Sequence, residues 1–116
     1  MIMLPSLVRI FLCTRPTDMR KGFDGLTGLV QECFGQDPLT GHLFLFVNRR
    51  RDRIKILYFD RDGLAIWYKR LEAGSFEIPR TSEGDGIELQ ATQLALILSG
   101  IDLKTARQRK RFQHAG

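Results

Sequence analysis

Residues 42–71 constrain the fold more tightly than any other part of this chain. Three runs rich in strand-forming residues, His42–Val47, Arg53–Asp60 and Leu64–Leu71, are separated by two short polar turns. The first turn is Asn48–Asp52. The second is Asp60-Arg61-Asp62-Gly63, whose Asp and Gly suit a tight hairpin. Strands joined this closely pair as consecutive antiparallel hairpins, which is a meander. In the middle run Ile54, Ile56 and Tyr58 share one face, and Arg53, Lys55, Leu57 and Phe59 share the other. Both faces are partly apolar. The sheet is therefore expected to be covered on one side and partly exposed on the other.

The flanking segments add helices and short strands. Leu7–Leu12 alternates like a strand and ends at Arg15-Pro16. Thr17 and Asp18 are suitable helix caps, and Met19, Phe23, Leu26, Val30, Cys33 and Phe34 then recur at helical spacing. This predicts a helix over Met19–Phe34, with Gly22, Gly25 and Gly28 either weakening it or permitting close packing on a sheet. Gly35 is the expected C-cap, and Asp37-Pro38-Leu39-Thr40-Gly41 a turn. Later, Phe76–Pro79 is extended, Ile87–Gln90 is a short strand, and Thr92 caps a helix over Gln93–Ser99. The expected fold is α+β: an antiparallel meander of about five strands, one long N-terminal helix packed on it, and a short C-terminal helix. Residues 1–103 form the domain and residues 104–116 a basic tail.

Composition narrows the setting. With 116 residues, 43% of them apolar, the chain suits one domain with a real core. Its longest apolar runs, such as Leu43–Val47, fall far short of the roughly 20 residues a membrane span needs. The N-terminus lacks a signal peptide's order of charge, apolar run and cleavage site. Cys13 and Cys33 form no Cys-x-x-Cys pair and point to a reducing, cytoplasmic setting. With only His42 and His114 beside them, a structural zinc is not expected, nor any other metal or cofactor.

The charge is unevenly placed. Residues 1–103 carry 13 basic and 13 acidic side chains, so the net +5 belongs to the tail, through Lys104, Arg107, Arg109, Lys110 and Arg111. A second cluster, Arg49, Arg50, Arg51, Arg53 and Lys55, is offset only by Asp52. A neutral body with two basic clusters points to a polyanion, and arginine forks pair well with phosphate. A basic β-ribbon can lie along DNA phosphates; it can equally be a solvated hairpin whose charge prevents edge-to-edge pairing. The tail is either a phosphate-binding arm or an unspecific terminus. Arg20 and Lys21 put two cations at a helix start, where the dipole disfavours them. A bound phosphate would explain them, as would surface pairing with Asp18 and Asp24.

Catalytic patterns are weak. Asp60 and Asp62 could hold a metal, but Asp-Arg-Asp-Gly between strands reads better as a turn. There is no Gly-x-Ser-x-Gly, His-Glu-x-x-His or phosphate-loop motif. Trp67, Tyr68, Phe44, Phe46 and Phe59 could stack on bases, though such residues more often form core.

Several blocks, in order, resemble a known family. They are Asp18-Met19-Arg20-Lys21-Gly22-Phe23-Asp24-Gly25-Leu26, then Asp37-Pro38-Leu39-Thr40-Gly41-His42-Leu43-Phe44-Leu45-Phe46, where the family tends to have serine at Thr40. Asn48–Tyr58, Asp60–Gly63, Tyr68–Glu72 and Leu98–Asp102 follow. They are similar to the TnpB accessory proteins, the second open reading frame of insertion-sequence-sixty-six type bacterial transposable elements. The resemblance implies a non-catalytic accessory protein of transposition, encoded beside a separate transposase, and it brings no catalytic residue. Two functions follow as expectations. In the first the chain binds DNA through Arg49, Arg50, Arg51, Arg53 and Lys55, with the tail as an auxiliary arm and Arg20 and Lys21 as weaker contacts. In the second it is a protein–protein adaptor that docks on the transposase.

Overall fold

The computed structural model describes residues 8–79 and 84–99. They form a five-stranded sheet with a helix against each face. The elements run β1 (Ile10–Cys13), α1 (Phe23–Phe34), a 3₁₀ turn (Pro38–Thr40), β2 (Leu43–Val47), β3 (Arg53–Asp60), β4 (Gly63–Arg70), β5 (Gly86–Leu89) and α2 (Ala91–Ser99). The strand order is β4-β3-β2-β1-β5.

The expected meander is present in β2–β3–β4. Phe44 pairs with Leu57 across β2 and β3, and β3 pairs with β4 from Arg53–Arg70 down to Asp60–Gly63. The rest of the sheet departs from a meander. β1 runs parallel to β2, with Ile10 opposite Leu43, and β5 pairs antiparallel with the other edge of β1. The cause is α1. A helix between two strands returns the chain to the end where it started, so the second strand runs parallel to the first.

Both faces of the sheet are covered, contrary to the half-exposed sheet expected. Phe11, Cys13, Phe44, Phe46 and Leu57 face α1 and bury Leu26, Leu29 and Val30. Phe11, Phe34 and Phe44 form a cluster of rings with centroids 5.6 Å apart. Ile10, Leu12, Leu45, Val47, Ile54 and Ile56 face the other way, onto Phe76, Ile78, Leu94 and Ile97. The short extended segment at Phe76 and the small helix α2 together act as a second layer.

The first helix is shorter than the sequence predicts and follows a strand. It starts at Phe23, not Met19. Asp18 holds the preceding residues in a turn: its carboxylate accepts from the Arg20 N–H at 2.9 Å, and its carbonyl from the Lys21 N–H at 3.1 Å. The carbonyls of Met19 and Lys21 are taken by a lysine side chain rather than by helical N–H groups. Gly22 is the N-cap, with no side-chain cap, and neither Thr17 nor Asp18 fills that role. Gly35 closes the helix at φ 60°, as expected. The helix glycines do not mediate sheet contact. A Cβ on Gly22 or Gly28 would meet open space, and one on Gly25 would meet the Lys21 side chain. The close approach occurs at Gly86, where a Cβ would come within 2.5 Å of the Phe34 ring. At α2 the cap is Gln90 rather than Thr92. Gln93 reaches back to the Gln90 N–H at 2.8 Å, half of a capping box. The tail from Lys104 to Gly116 lies outside the described residues.

Two substitutions bracket these features in urea unfolding. Phe44→Ala, at the centre of the ring cluster, should cost about 3–5 kcal/mol. Gly28→Ala should stabilise by about 0.5–1 kcal/mol, because the site is helical, open and unstrained.

Candidate nucleic-acid interface

The arginines of the β2–β3 connection stand on a turn built by Asn48. Its side-chain carbonyl accepts from the N–H groups of Asp52 at 3.1 Å and Arg53 at 3.0 Å. Its amide donates to the Asp52 carboxylate at 2.7 Å. The turn is fastened from outside as well, since Leu71 N–H donates to the Asp52 carbonyl and Phe76 N–H to the Arg51 carbonyl. Arg49, Arg50 and Arg51 are therefore displayed by a fixed backbone, all exposed, with no ion pair among the described residues. Arg51 sits at φ 59°, a left-handed conformation that glycine adopts more readily.

Beside this turn lies an open cleft of about 470 Å³. Arg49, Arg50, Asp52 and Arg53 line one side, and Thr17, Asp18, Met19 and Arg20 from the β1–α1 loop line the other. The fold thus joins two basic clusters more than 25 residues apart in sequence. Thr17 is held by its N–H, which donates to the Val47 carbonyl at 2.9 Å. Its hydroxyl is buried and has no hydrogen-bond partner among the described residues. A buried hydroxyl left unmatched costs about 1–3 kcal/mol, and this one lies beneath the cleft surface, closed off from solvent.

Lys55 has a different fate from the other cations. It shares a sheet face with Arg53, as alternation requires, but it is only 9% exposed. Its Nζ donates to the Met19 carbonyl at 2.8 Å and the Lys21 carbonyl at 2.9 Å, and lies 4.7 Å from the centre of the Tyr68 ring. Its ammonium is spent on holding the β1–α1 loop against β3, so the phosphate contact expected of it is withdrawn. A buried charge needs such partners to be tolerated at all. Lys55 thereby places one wall of the cleft.

The remaining cations divide. Arg20 is bidentate to Asp18, with its shortest contact at 2.6 Å, and its side chain is 91% exposed. The pairing with Asp18 is the surface alternative read from sequence. Those hydrogen bonds hold the Asp18 carboxyl down at about 2. Lys21 is exposed and stands outside the cleft lining. Arg53 donates to the Tyr68 hydroxyl at 3.2 Å, and Arg70 pairs with Glu72 at 2.8 Å. Phe44 and Phe46 are core, whereas Trp67 and Tyr68 on β4 are 40% and 46% exposed. Asp60 and Asp62 form a turn in which Asp62 N–H donates to the Asp60 carbonyl at 2.7 Å. Among the described residues no group of three or more His, Cys, Asp or Glu side chains is placed to hold a metal. No described helix is long and apolar enough to cross a membrane. The expected contacts Lys104, Arg107, Arg109, Lys110 and Arg111 lie outside the described residues. Sequence reasoning missed Asn48 and Thr17. The polar turn around Asn48 was visible; the burial of Thr17 was not, because it depends on β2.

A single sheet covered on both faces, with an arginine-bearing hairpin beside an open cleft, defines a small α+β protein. The family described as IS66 Orf2 like protein matches residues 8–108, and the chain belongs to it. The family carries an accessory role in transposition. The chain is 42% identical over 102 residues to uncharacterized protein y4hO of Sinorhizobium fredii (strain NBRC 101917 / NGR234), covering 86% of this chain and 88% of that protein. It is 34% identical over 95 residues to uncharacterized protein y4jC of the same strain, covering 82% and 80%. No solved structure matches it significantly.

Three measurements check this geometry. Lys55→Met should destabilise the fold by about 2 kcal/mol, since hydrogen bonds to a charged group are worth about 1.5–3 kcal/mol. Arg51→Gly should stabilise by about 1 kcal/mol by relieving the left-handed strain. Arg20→Ala should raise the Asp18 carboxyl toward the ordinary carboxylate range, with the share due to the backbone N–H of residue 20 remaining, read by carboxyl NMR titration. With Arg20 present, the pairing stabilises fully above the ordinary carboxylate value and is lost as the pH falls towards 2.

Proposed function

We propose that the chain is a non-catalytic accessory protein of transposition that holds DNA phosphates at the hairpin tip and cleft, within the reducing interior of the cell. Arg49 and Arg50 are the principal contacts, and Arg51, Arg53 and Arg20 flank them. The observation that carries this reading is the convergence on one cleft of Arg49 and Arg50, which make no ion pair among the described residues, with Arg53 and Arg20. The fixed turn favours phosphate binding, because little side-chain support has to be ordered when the ligand arrives. Asp18 and Asp52 temper the site, so a phosphate chain would be held from the Arg49–Arg50 side. Contacts of this kind bring salt-sensitive affinity with little sequence preference.

One observation favours a second reading, an adaptor that docks on the separate transposase. β4 is an edge strand, and Trp67 and Tyr68 on it are exposed. A free edge with exposed aromatics can pair with a partner strand.

The test is duplex DNA binding across a salt series. Arg49→Ala combined with Arg50→Ala should reduce the slope of log affinity against log salt by about two units. Arg61→Gly, in the turn at the other end of β3 and outside the cleft lining, should leave that slope unchanged. An unchanged slope in the double variant would remove the phosphate assignment. If the unmodified chain binds no DNA and a transposase pull-down depends on Trp67, the adaptor reading replaces it.

A further inference from the structure

The two cysteines are far apart in sequence but adjacent in space. Cys13 ends β1, and Cys33 lies in the last turn of α1. Their sulfurs are 3.4 Å apart. Cys13 is 1% exposed, and its Sγ also lies 3.6 Å from the Arg15 carbonyl oxygen. Cys33 is half-buried, more open than Cys13. Arg15 is paired with Glu32 at 3.1 Å and Asp85 at 3.3 Å, and its guanidinium acts electrostatically on the Cys33 sulfur.

We propose that Cys13 and Cys33 are a modification site: they form an intramolecular disulfide on exposure to a low-molecular-weight disulfide such as oxidised glutathione. The Cys33 thiolate attacks one sulfur of the reagent. The reagent's S–S bond breaks, and one glutathione thiolate leaves and takes up the proton that Cys33 lost. The Cys13 sulfur then attacks Cys33 in the mixed disulfide, giving up its own proton, and the second glutathione leaves as thiol. The chain's two thiols are oxidised, and one disulfide of the reagent is reduced to two thiols. The buried Cys13 cannot be reached by the reagent but lies in contact with the sulfur it must attack. That contact favours closure over a persistent mixed adduct.

The rate has a pH sense. Burial is the main cause that raises the Cys33 thiol to about 12, and the neighbouring Cys13 adds to it. The groups facing it are Cys13 from β1, Arg15 from the following loop, Glu32 on α1 and Asp85 before β5. Thiolate is therefore scarce at neutral pH, and exchange accelerates as the pH rises. The bond would close the segment between β1 and the end of α1, which includes the loop bearing Thr17, Asp18 and Arg20. Oxidation would thereby stiffen one wall of the cleft.

The test incubates the full chain with oxidised glutathione at pH 7 and pH 8.5, then reads intact mass and peptide maps. The expected product is monomeric, two hydrogens lighter, linked Cys13 to Cys33, faster to form at pH 8.5, and raised in Tm by roughly 10 °C. Cys33→Ser should block all modification of the folded chain. Cys13→Ala, with its fold checked by circular dichroism, should stop at a stable glutathione adduct on Cys33. A persistent adduct in the unmodified chain, an intermolecular dimer, or two thiols still free would each overturn the proposal. If Cys13→Ala does not fold, the linkage and Cys33→Ser decide it.

Discussion

A lysine ammonium buried against two backbone carbonyls organises the functional end of this protein. Lys55 is buried on β3, one strand in from the sheet edge, where a charge is costly unless its donors are matched. The carbonyls of Met19 and Lys21 match them, and the Tyr68 ring supplies its negative face. With those carbonyls turned toward Lys55, the segment stays in a turn, and α1 begins at Phe23, later than its apolar periodicity implies. The same contacts press the β1–α1 loop onto the hairpin. The cleft between Arg20 and Arg49 follows from where Lys55 spends its hydrogen bonds.

The sheet that carries this arrangement is sided twice over. Alternation along β1 and β2 sends Phe11, Phe44 and Phe46 to α1 and aliphatic residues to α2 and the Phe76 segment, whereas β3 sends Leu57 to α1 and Tyr58 to the other side. β1, inserted between β2 and β5, makes the sheet continuous, although β1 and β2 are separated by a helix in sequence. Burial thins out toward β4: Leu64 and Ile66 still pack against the α1 layer, while Trp67 and Tyr68 reach solvent. The hairpin tip and the β4 edge are therefore the places where a well-covered core gives way to accessible chemistry.

What the sequence made legible was local. The bounds of β3 were read correctly, because alternation and the two flanking turns are encoded within 23 neighbouring residues, from Asn48 to Arg70. The C-cap at Gly35 and the Asp18–Arg20 pairing were local too. The strand order was not recoverable, because the placement of β5 beside β1 is decided by contacts between residues more than 70 apart, such as Leu12 and Ile87. Lys55 was misread for the same reason. Its neighbours in sequence are cations on an exposed turn, but its neighbours in space are carbonyls of a distant loop. Composition counts charges, and only packing decides which of them remain free.

That distinction bears directly on the two functional readings. Of the six cations expected on the folded body, other than Lys55, Arg20 is neutralised by Asp18 and Arg53 is engaged by Tyr68. Arg49, Arg50, Arg51 and Lys21 make no ion pair among the described residues. Free cations fixed on a rigid turn have little to lose on meeting a phosphate, since neither a carboxylate nor a mobile backbone has to be displaced. A protein partner would have to desolvate the same guanidinium groups and supply acids to match them, a larger cost at an interface core. The free edge of β4 carries no such burden, and Trp67 and Tyr68 give it apolar area. The two proposed readings therefore rest on different surfaces, the phosphate reading on the hairpin tip and the adaptor reading on the β4 edge, so a substitution in one surface leaves the other reading open to its own test.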